Sequence, residues 1–337
     1  MGDGGVASMR ALLLNATVEV IPLRGVQAAL AGIPRETAVT VTCSPKFGIA
    51  RTLEHARLCR DLGLRVIPHV AARQVPDEAR LRQLVEELDA IAVRDLFVIG
   101  GDLGEPVGEL SSASELLEAL AGIGHRFETI GIGCYPEGHP AIADDVLLEA
   151  LRRKQPHAQY MVSQLCFDPA TVLGWLRRMR ASGIHLPLHI GVAGPVHARK
   201  LVDMSVKIGV GTSVRYLTKQ HGFVRNLLRV GAYRPERLLA KLAGGLANPG
   251  GALATPGLSI DGIHIYSFNQ IAATIEWLSR QTAGAAPGPG LPGPGSPSSE
   301  APSAEAASPG APPRPAPSRE APPRQAPGRE ARSSEPR

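Results

Sequence analysis

Aromatic side chains make up only 4% of these 337 residues, and cysteine occurs four times. Cys43, Cys59, Cys134 and Cys166 lie far apart with no Cys-x-x-Cys pair, which excludes a disulfide framework and a standard zinc site. Small buried core thiols are the expectation instead. Long hydrophobic runs are missing as well. No segment reaches membrane-spanning length, and the first residues hold no charged stretch leading into an apolar core. Neither a membrane span nor an export signal is therefore expected, and the chain reads as cytoplasmic. Charge of one sign is also in short supply. The excess is +5, from 36 Lys and Arg against 31 Asp and Glu, and the cations do not gather on one stripe. That excludes the footprint of a nucleic-acid binder, and leaves an anionic ligand and plain surface scatter as equal explanations.

Apolar bulk is abundant, at 44% of the chain, enough for a full-sized core. It stops abruptly. Fifteen of the thirty prolines lie after Gly284, among repeats such as Arg-Glu-Ala-Pro-Pro-Arg with almost no apolar residues. Nothing there offsets the entropy of ordering, so 284–337 is expected to be disordered. This tail holds six Arg and five Glu, which leaves the body four of the five net charges. Residues 1–10 read as a loose leader and 11–283 as one folded domain.

Within that domain, β-branched apolar runs recur at 16–22, 38–43, 65–70, 96–101, 129–135, 159–167, 186–193 and 262–268. Segments with apolar residues at three- and four-residue spacing lie between them, clearest at 49–62, 76–92, 114–123, 143–155, 169–182, 197–208 and 270–280. Asp168-Pro169 and Pro76-Asp77-Glu78 carry helix-start signals. Gly63, Gly124 and Gly183 sit where helix ends favour positive φ. Eight strands alternating with helices predict an α/β fold, a (β/α)8 TIM barrel, with a doubly wound open sheet as the alternative. The stretch 210–258 exceeds one crossover. It predicts two additional helices, at 213–228 and 235–243, before strand eight.

In such a barrel the chemistry gathers at the C-terminal strand ends. The runs deliver there Glu19, Thr42, His69 and Asp102, then Tyr135, Glu137 and His139, then Gln164, and finally Tyr266, Ser267 and Asn269. One buried polar residue is usually a hydrogen-bonded core group, but a polar residue at nearly every strand end points to a site. Glu19, between Val18 and Val20, is the sharpest member. A carboxyl in apolar surroundings stays protonated and can act as a general acid, unless an Arg or Lys pairs with it across the barrel. Asp102 follows Gly100-Gly101, where the backbone can approach a ligand closely, or else it caps a helix. Tyr135-Pro-Glu-Gly-His-Pro140 reads as a cofactor-contact loop, with a metal half-site as the alternative. His189 and His264 read as satisfied core histidines. Arg152-Arg153-Lys154 either offsets a helix dipole or reaches a phosphate.

Gly133-Cys-Tyr-Pro-Glu-Gly-His-Pro140 resembles the Tyr-Pro-Glu-x-His-Pro motif of the methylenetetrahydrofolate reductase family, flavin-bearing (β/α)8 enzymes of one-carbon and methionine metabolism. Gln164-Leu-Cys-Phe-Asp168 is similar to that family's Gln-Phe-Phe-Phe-Asp, Gly101-Asp102 to its Arg-Gly-Asp, and His264-Ile-Tyr-Ser-Phe-Asn269 to its closing motif. Val41-Thr42 and Pro68-His69 resemble corresponding strand ends, and Glu19 falls on the family's catalytic glutamate. The resemblance spans 17–278. Gly100 and Gln270 stand where the family has arginines.

The resemblance implies reduction of 5,10-methylenetetrahydrofolate to 5-methyltetrahydrofolate, with bound FAD and NADH or NADPH as electron donor. It implies Glu19 as the acid, Asp102 beside both flavin and pterin, and Gln164 and Phe268 against the substrate. Thr42, His69, Gly101, Asp102, Tyr135, His139, Asp145 and Lys154 would hold the flavin, with Lys154 near its phosphates. No metal is implied; folate is the expected partner, with no nucleic acid and no membrane, and a homo-oligomer is expected. Two alternatives stay open. One relative would keep the chemistry but take hydride directly from the nicotinamide; the other would be catalytically silent, binding folate or flavin and regulating a partner through the proline-rich tail.

Overall fold

The computed structural model describes residues 10–139, 141–166, 168–197, 232–233, 235–246 and 258–283. Eight parallel strands close into a barrel in chain order: β1 (Thr17–Val20), β2 (Ala38–Val41), β3 (Arg65–Ala71), β4 (Asp95–Ile99), β5 (Thr129–Cys134), β6 (Tyr160–Ser163), β7 (Leu188–Ala193) and β8 (Ile260–Tyr266). Closure is made by β8 against β1, with Thr17 opposite His264 and Glu19 opposite Tyr266. A helix follows each strand: α1 (Gln27–Leu30), α2 (Gly48–Asp61), α3 (Glu78–Ala90), α4 (Ala113–Ile123), α5 (Asp144–Lys154), α6 (Pro169–Ala181), α7 (Glu236–Leu246) and α8 (Ile271–Thr282). The barrel is the expected one, and its closure excludes the open sheet.

Successive side chains on a strand face opposite sides of the sheet. Val18, Val39, Val98, Ile132, Met161, Ile190 and Ile265 face outward and pack with the helices in one continuous core. Ala38, Ile67, Phe97, Tyr160 and Val162 form a separate apolar cluster on the inner side. Thr17, Glu19, Thr40, His69, His189, His264 and Tyr266 share that inner parity, so the barrel interior is partly polar. Large rings fit there because neighbouring strands offer glycine. A Cβ on Gly131 would stand 2.4 Å from the Tyr160 ring, and one on Gly262 would stand 3.2 Å from the His189 ring. At the N-terminal end of the barrel Arg65 holds Asp95 with two hydrogen bonds, of 2.8 and 2.7 Å. Thr129 donates its hydroxyl to the same carboxylate.

The punctuation between elements follows the sequence with two corrections. Helix α3 begins at Glu78 with Asp77 as its cap, accepting from Arg80 N at 2.7 Å, so Pro76 precedes the cap instead of opening the first turn. No helix starts at 197. Val196–His197 pairs antiparallel with Ala232–Tyr233, in keeping with Pro195 and the β-branched Val196, which favour an extended backbone. Helix α7 is the second of the two additional helices expected. The other, at 213–228, lies outside the described residues, as do the rest of 197–208, the leader up to residue 9 and the tail 284–337. Gly63, Gly124 and Gly183 all have positive φ as expected. The four cysteines are buried. Among the described residues no helix is long and apolar enough to cross a membrane.

Asp168 caps α6 as read from the sequence, its carboxylate accepting from Ala170 N and Thr171 N at 3.2 Å each. The Thr171 hydroxyl first, and these amides with it, hold the Asp168 carboxyl below its ordinary value of 3.8. A lowered carboxyl contributes stability above its unfolded value and loses it as pH falls through the folded one. Asp168→Ala is therefore expected to cost about 1 kcal/mol near neutral pH. The gap between variant and wild type should close in melts run at strongly acid pH.

Candidate active site

The short strand β1 places Glu19 at the C-terminal mouth, with its side chain only 15% exposed. Its partner is not the arginine or lysine considered above. Nε2 of His264 lies 3.4 Å from Glu19 Oε2, and Nδ1 of the same ring lies 2.9 Å from Thr17 Oγ1. This contact follows from barrel closure, which sets Thr17 beside His264 in register. The Ser267 hydroxyl donates to Glu19 O at 2.5 Å. Asn269 binds both the N–H and the C=O of Ile21, at 2.8 and 2.9 Å. Asn269 thus extends the β8–β1 ladder past its last backbone pair and fixes where Glu19 stands. The turn that achieves this puts Phe268 and Asn269 at φ 48° and 55°, left-handed values that non-glycine residues rarely adopt. Phe268 is held half-buried by that turn.

His69 shares this side of the mouth. Burial pushes its imidazole down to about 4, against the opposing pull of Glu19, so the ring is neutral at ordinary pH. It packs on Phe97 with centroids 4.6 Å apart, and its Nε2 has no partner among the described residues. Burial, with Glu19 adding to it, holds the Tyr266 phenol well above its usual value. The protonated hydroxyl donates to Ser163 O at 3.0 Å and to Gln164 Oε1 at 3.3 Å. That contact orients Gln164, which is exposed at the end of β6, and leaves its amide N–H groups for other partners.

The second half of the mouth is built by the loops after β4 and β5. Asp102 is exposed, and it is not a helix cap; Ser112 caps α4 through a capping box with Glu115. Arg73, just beyond β3, donates to Leu103 O, Gly104 O and Ser111 O, and so closes the loop that carries Asp102. Gly101 has φ 92°, and a Cβ there would stand 2.9 Å from Ala71 Cβ, so this loop passes too close to β3 for any side chain. Burial and then Asp102 raise Tyr135 to about 12. Burial lowers His139, with Asp102 opposing. The Tyr135 and His139 rings meet edge-on, with centroids 4.9 Å apart. Glu137, between them, accepts from Asp168 N at 2.9 Å and links this loop to α6. Thr42, after β2, holds its backbone in place through Val20 O and the Thr52 hydroxyl, while its own Oγ1 is buried without a partner among the described residues.

Two predicted residues stand apart. Asp145 is exposed in the first turn of α5, and Lys154 is buried at its end, donating to Gly133 O at 3.0 Å. Desolvation lowers Lys154 to about 8. Both line a cavity of about 240 Å³ between α5 and α6, whose lining also includes Tyr135. Arg152 and Arg153 pair with Glu149 and Glu118.

Sequence reasoning missed Arg73, whose reach is visible only once the loop closes over it. It also took His264 and His189 as one kind. His264 is hydrogen-bonded, but by the site. His189, buried against the Tyr160 ring at 4.7 Å, has no partner on either nitrogen among the described residues and is corrected from a satisfied core histidine. Burial lowers it to about 4, so it stays neutral.

Residues 35–213 match the family model of methylenetetrahydrofolate reductase. The match takes in β2 to β7, and with them Thr42, His69, Asp102, Tyr135, His139 and Gln164. It omits β1 and β8, which bring Glu19, His264 and Tyr266 to the same mouth by closing the barrel. The chain belongs to the methylenetetrahydrofolate reductase family, a family of folate-linked and generally flavin-dependent oxidoreductases.

Proposed function

We propose that the protein reduces 5,10-methylenetetrahydrofolate to 5-methyltetrahydrofolate with a flavin, itself reduced by a nicotinamide nucleotide. The observation that carries the reading is the Thr17–His264–Glu19 chain at a mouth that also holds Gln164. The ring end of a flavin suits the residues present. Thr42 Oγ1 and His69 Nε2 are buried hydrogen-bonding atoms without partners among the described residues, and Gly101 lets the backbone come close. Tyr135 and His139 add an aromatic wall, and Asp102 a carboxylate within their influence.

When bound, that group supplies the hydride that ends on the methylene carbon; the protein supplies orientation and the proton. The C–N bond of the five-membered ring breaks as its nitrogen takes the proton of the Glu19 carboxyl. Thr17 lets His264 serve both forms of that acid. With Nδ1–H donated to Thr17, Nε2 accepts from protonated Glu19; with the Thr17 hydroxyl donating to Nδ1, Nε2–H supports the carboxylate. Gln164, oriented by Tyr266, and Phe268 would hold the pterin, with Asp102 beside it.

One observation favours a second reading. Lys154, expected near the flavin phosphates, is buried and turned onto Gly133 O at 3.0 Å. That suits a relative in which hydride passes directly from the nicotinamide. Absorption of the purified protein separates the two: a bound oxidised-flavin band supports the first. Protein that stays colourless after incubation with FAD, yet reduces methylenetetrahydrofolate with a nicotinamide donor, would overturn it.

A further inference from the structure

A second feature of the mouth is basic. Leu23 and Arg24, just past β1, and Lys46, Phe47 and Arg51, at the start of α2, line an open groove of about 630 Å³ with no carboxylate among them. Arg51 Nε donates to Pro22 O at 3.3 Å, which ties α2 to the exit of the strand carrying Glu19. Arg51 also holds Glu54 at 2.6 Å. The Lys46 ammonium lies 5.8 Å from the Phe47 ring centroid. The same groove meets the start of the 14-residue helix α2, where Phe47 at the capping position offers no side-chain cap and the first turn carries no acid. Ser44 O takes the Phe47 and Gly48 amides, so the positive end of the helix and the cations Arg24, Lys46 and Arg51 along the groove, not free amides, favour an anionic ligand.

We infer that this groove binds the anionic tail of a ligand whose reacting ring lies at Glu19. An aromatic group packs against Phe47, and carboxylates or phosphates meet Arg24, Lys46 and Arg51. The inference rests on the folate reading and adds to it a site for the part of the ligand that does not react. Two sources share this chemistry: the benzoyl-glutamate tail of the folate, extended by further glutamates, and the adenine and phosphates of the nicotinamide nucleotide.

The test compares the full chain with its Arg24→Gln/Lys46→Gln variant, which leaves the Arg51 contacts to Pro22 and Glu54 in place. Binding is titrated in one arm with 5-methyltetrahydrofolate bearing one or three glutamates, in the other with NADH and NADPH. Loss of two charge pairs is expected to weaken the tailed ligand about tenfold at low salt, with the gap shrinking near 0.5 M salt, at unchanged melting temperature. A loss confined to the triglutamate identifies the folate tail; one confined to the nucleotides identifies their phosphates. Affinities within about twofold of wild type in both arms would overturn the inference, as would a wild type that binds neither ligand. Turnover of methylenetetrahydrofolate is measured separately, so absence of turnover sinks the folate reading while the binding arms still decide the groove.

Discussion

Glu19→Gln is expected to slow methylenetetrahydrofolate reduction by about 10²- to 10⁴-fold, the range of a single general acid, with most of the loss in kcat. Glutamine keeps the volume and can still hydrogen-bond to His264 Nε2, so folding should be unaffected and the melting temperature should stay at the wild-type value. It has no proton to give to the folate nitrogen. Oxidation of the nicotinamide nucleotide by the same preparation with a quinone acceptor involves no such proton and should continue at the wild-type rate. The split between the two reactions is the informative result. A parallel loss of both would show that Glu19 only holds the mouth together, through its place between Thr17, His264 and Ser267.

Much of this arrangement was legible in the chain because the signals were local. Apolar runs bounded by caps and glycines mark strands and helices whatever their neighbours are, and Asp168 and Gly63 behave as their types dictate. The polar residue at each strand end is local too, and it pointed to the mouth. Contacts across the closure are not local. His264 and Thr17 are 247 positions apart, and only the register of β8 on β1 tells that one imidazole serves Glu19 while His189, on the neighbouring strand, has no hydrogen-bond partner among the described residues. The direction of a long side chain is equally hidden. Lys154 ends a helix in a run of three cations, which suggests an outward charge, yet it folds back onto a β5 carbonyl. Arg73 gave no signal, since its three acceptors are backbone carbonyls of a loop whose path the sequence does not specify.

Packing inside the barrel also explains why one strand glycine should be irreplaceable. A Cβ on Gly191 would stand 2.3 Å from Ser163 O, 2.7 Å from the Tyr266 ring and 3.0 Å from Gln164 O. Two of these three atoms are backbone, so no rotamer change relieves the clash. Gly191 also donates its N–H to Ser163 Oγ at 2.8 Å and accepts from Cys166 N at 2.9 Å, which ties β7 to the exit of β6. Gly191→Ala must therefore push the Ser163–Gln164 backbone or the Tyr266 ring out of place, at an expected cost of about 3 kcal/mol in urea unfolding. Whatever protein folds should show kcat/KM lowered on the order of 10²-fold, because the displaced segment carries Gln164 and the hydroxyl that orients it. Gly133→Ala is the control: a Cβ there meets nothing within 4 Å, and alanine weakens a strand less than glycine does, so stability within about 0.5 kcal/mol of wild type is expected. If both variants behave alike, the packing of rings against glycine across the barrel is not what holds Gln164 in place.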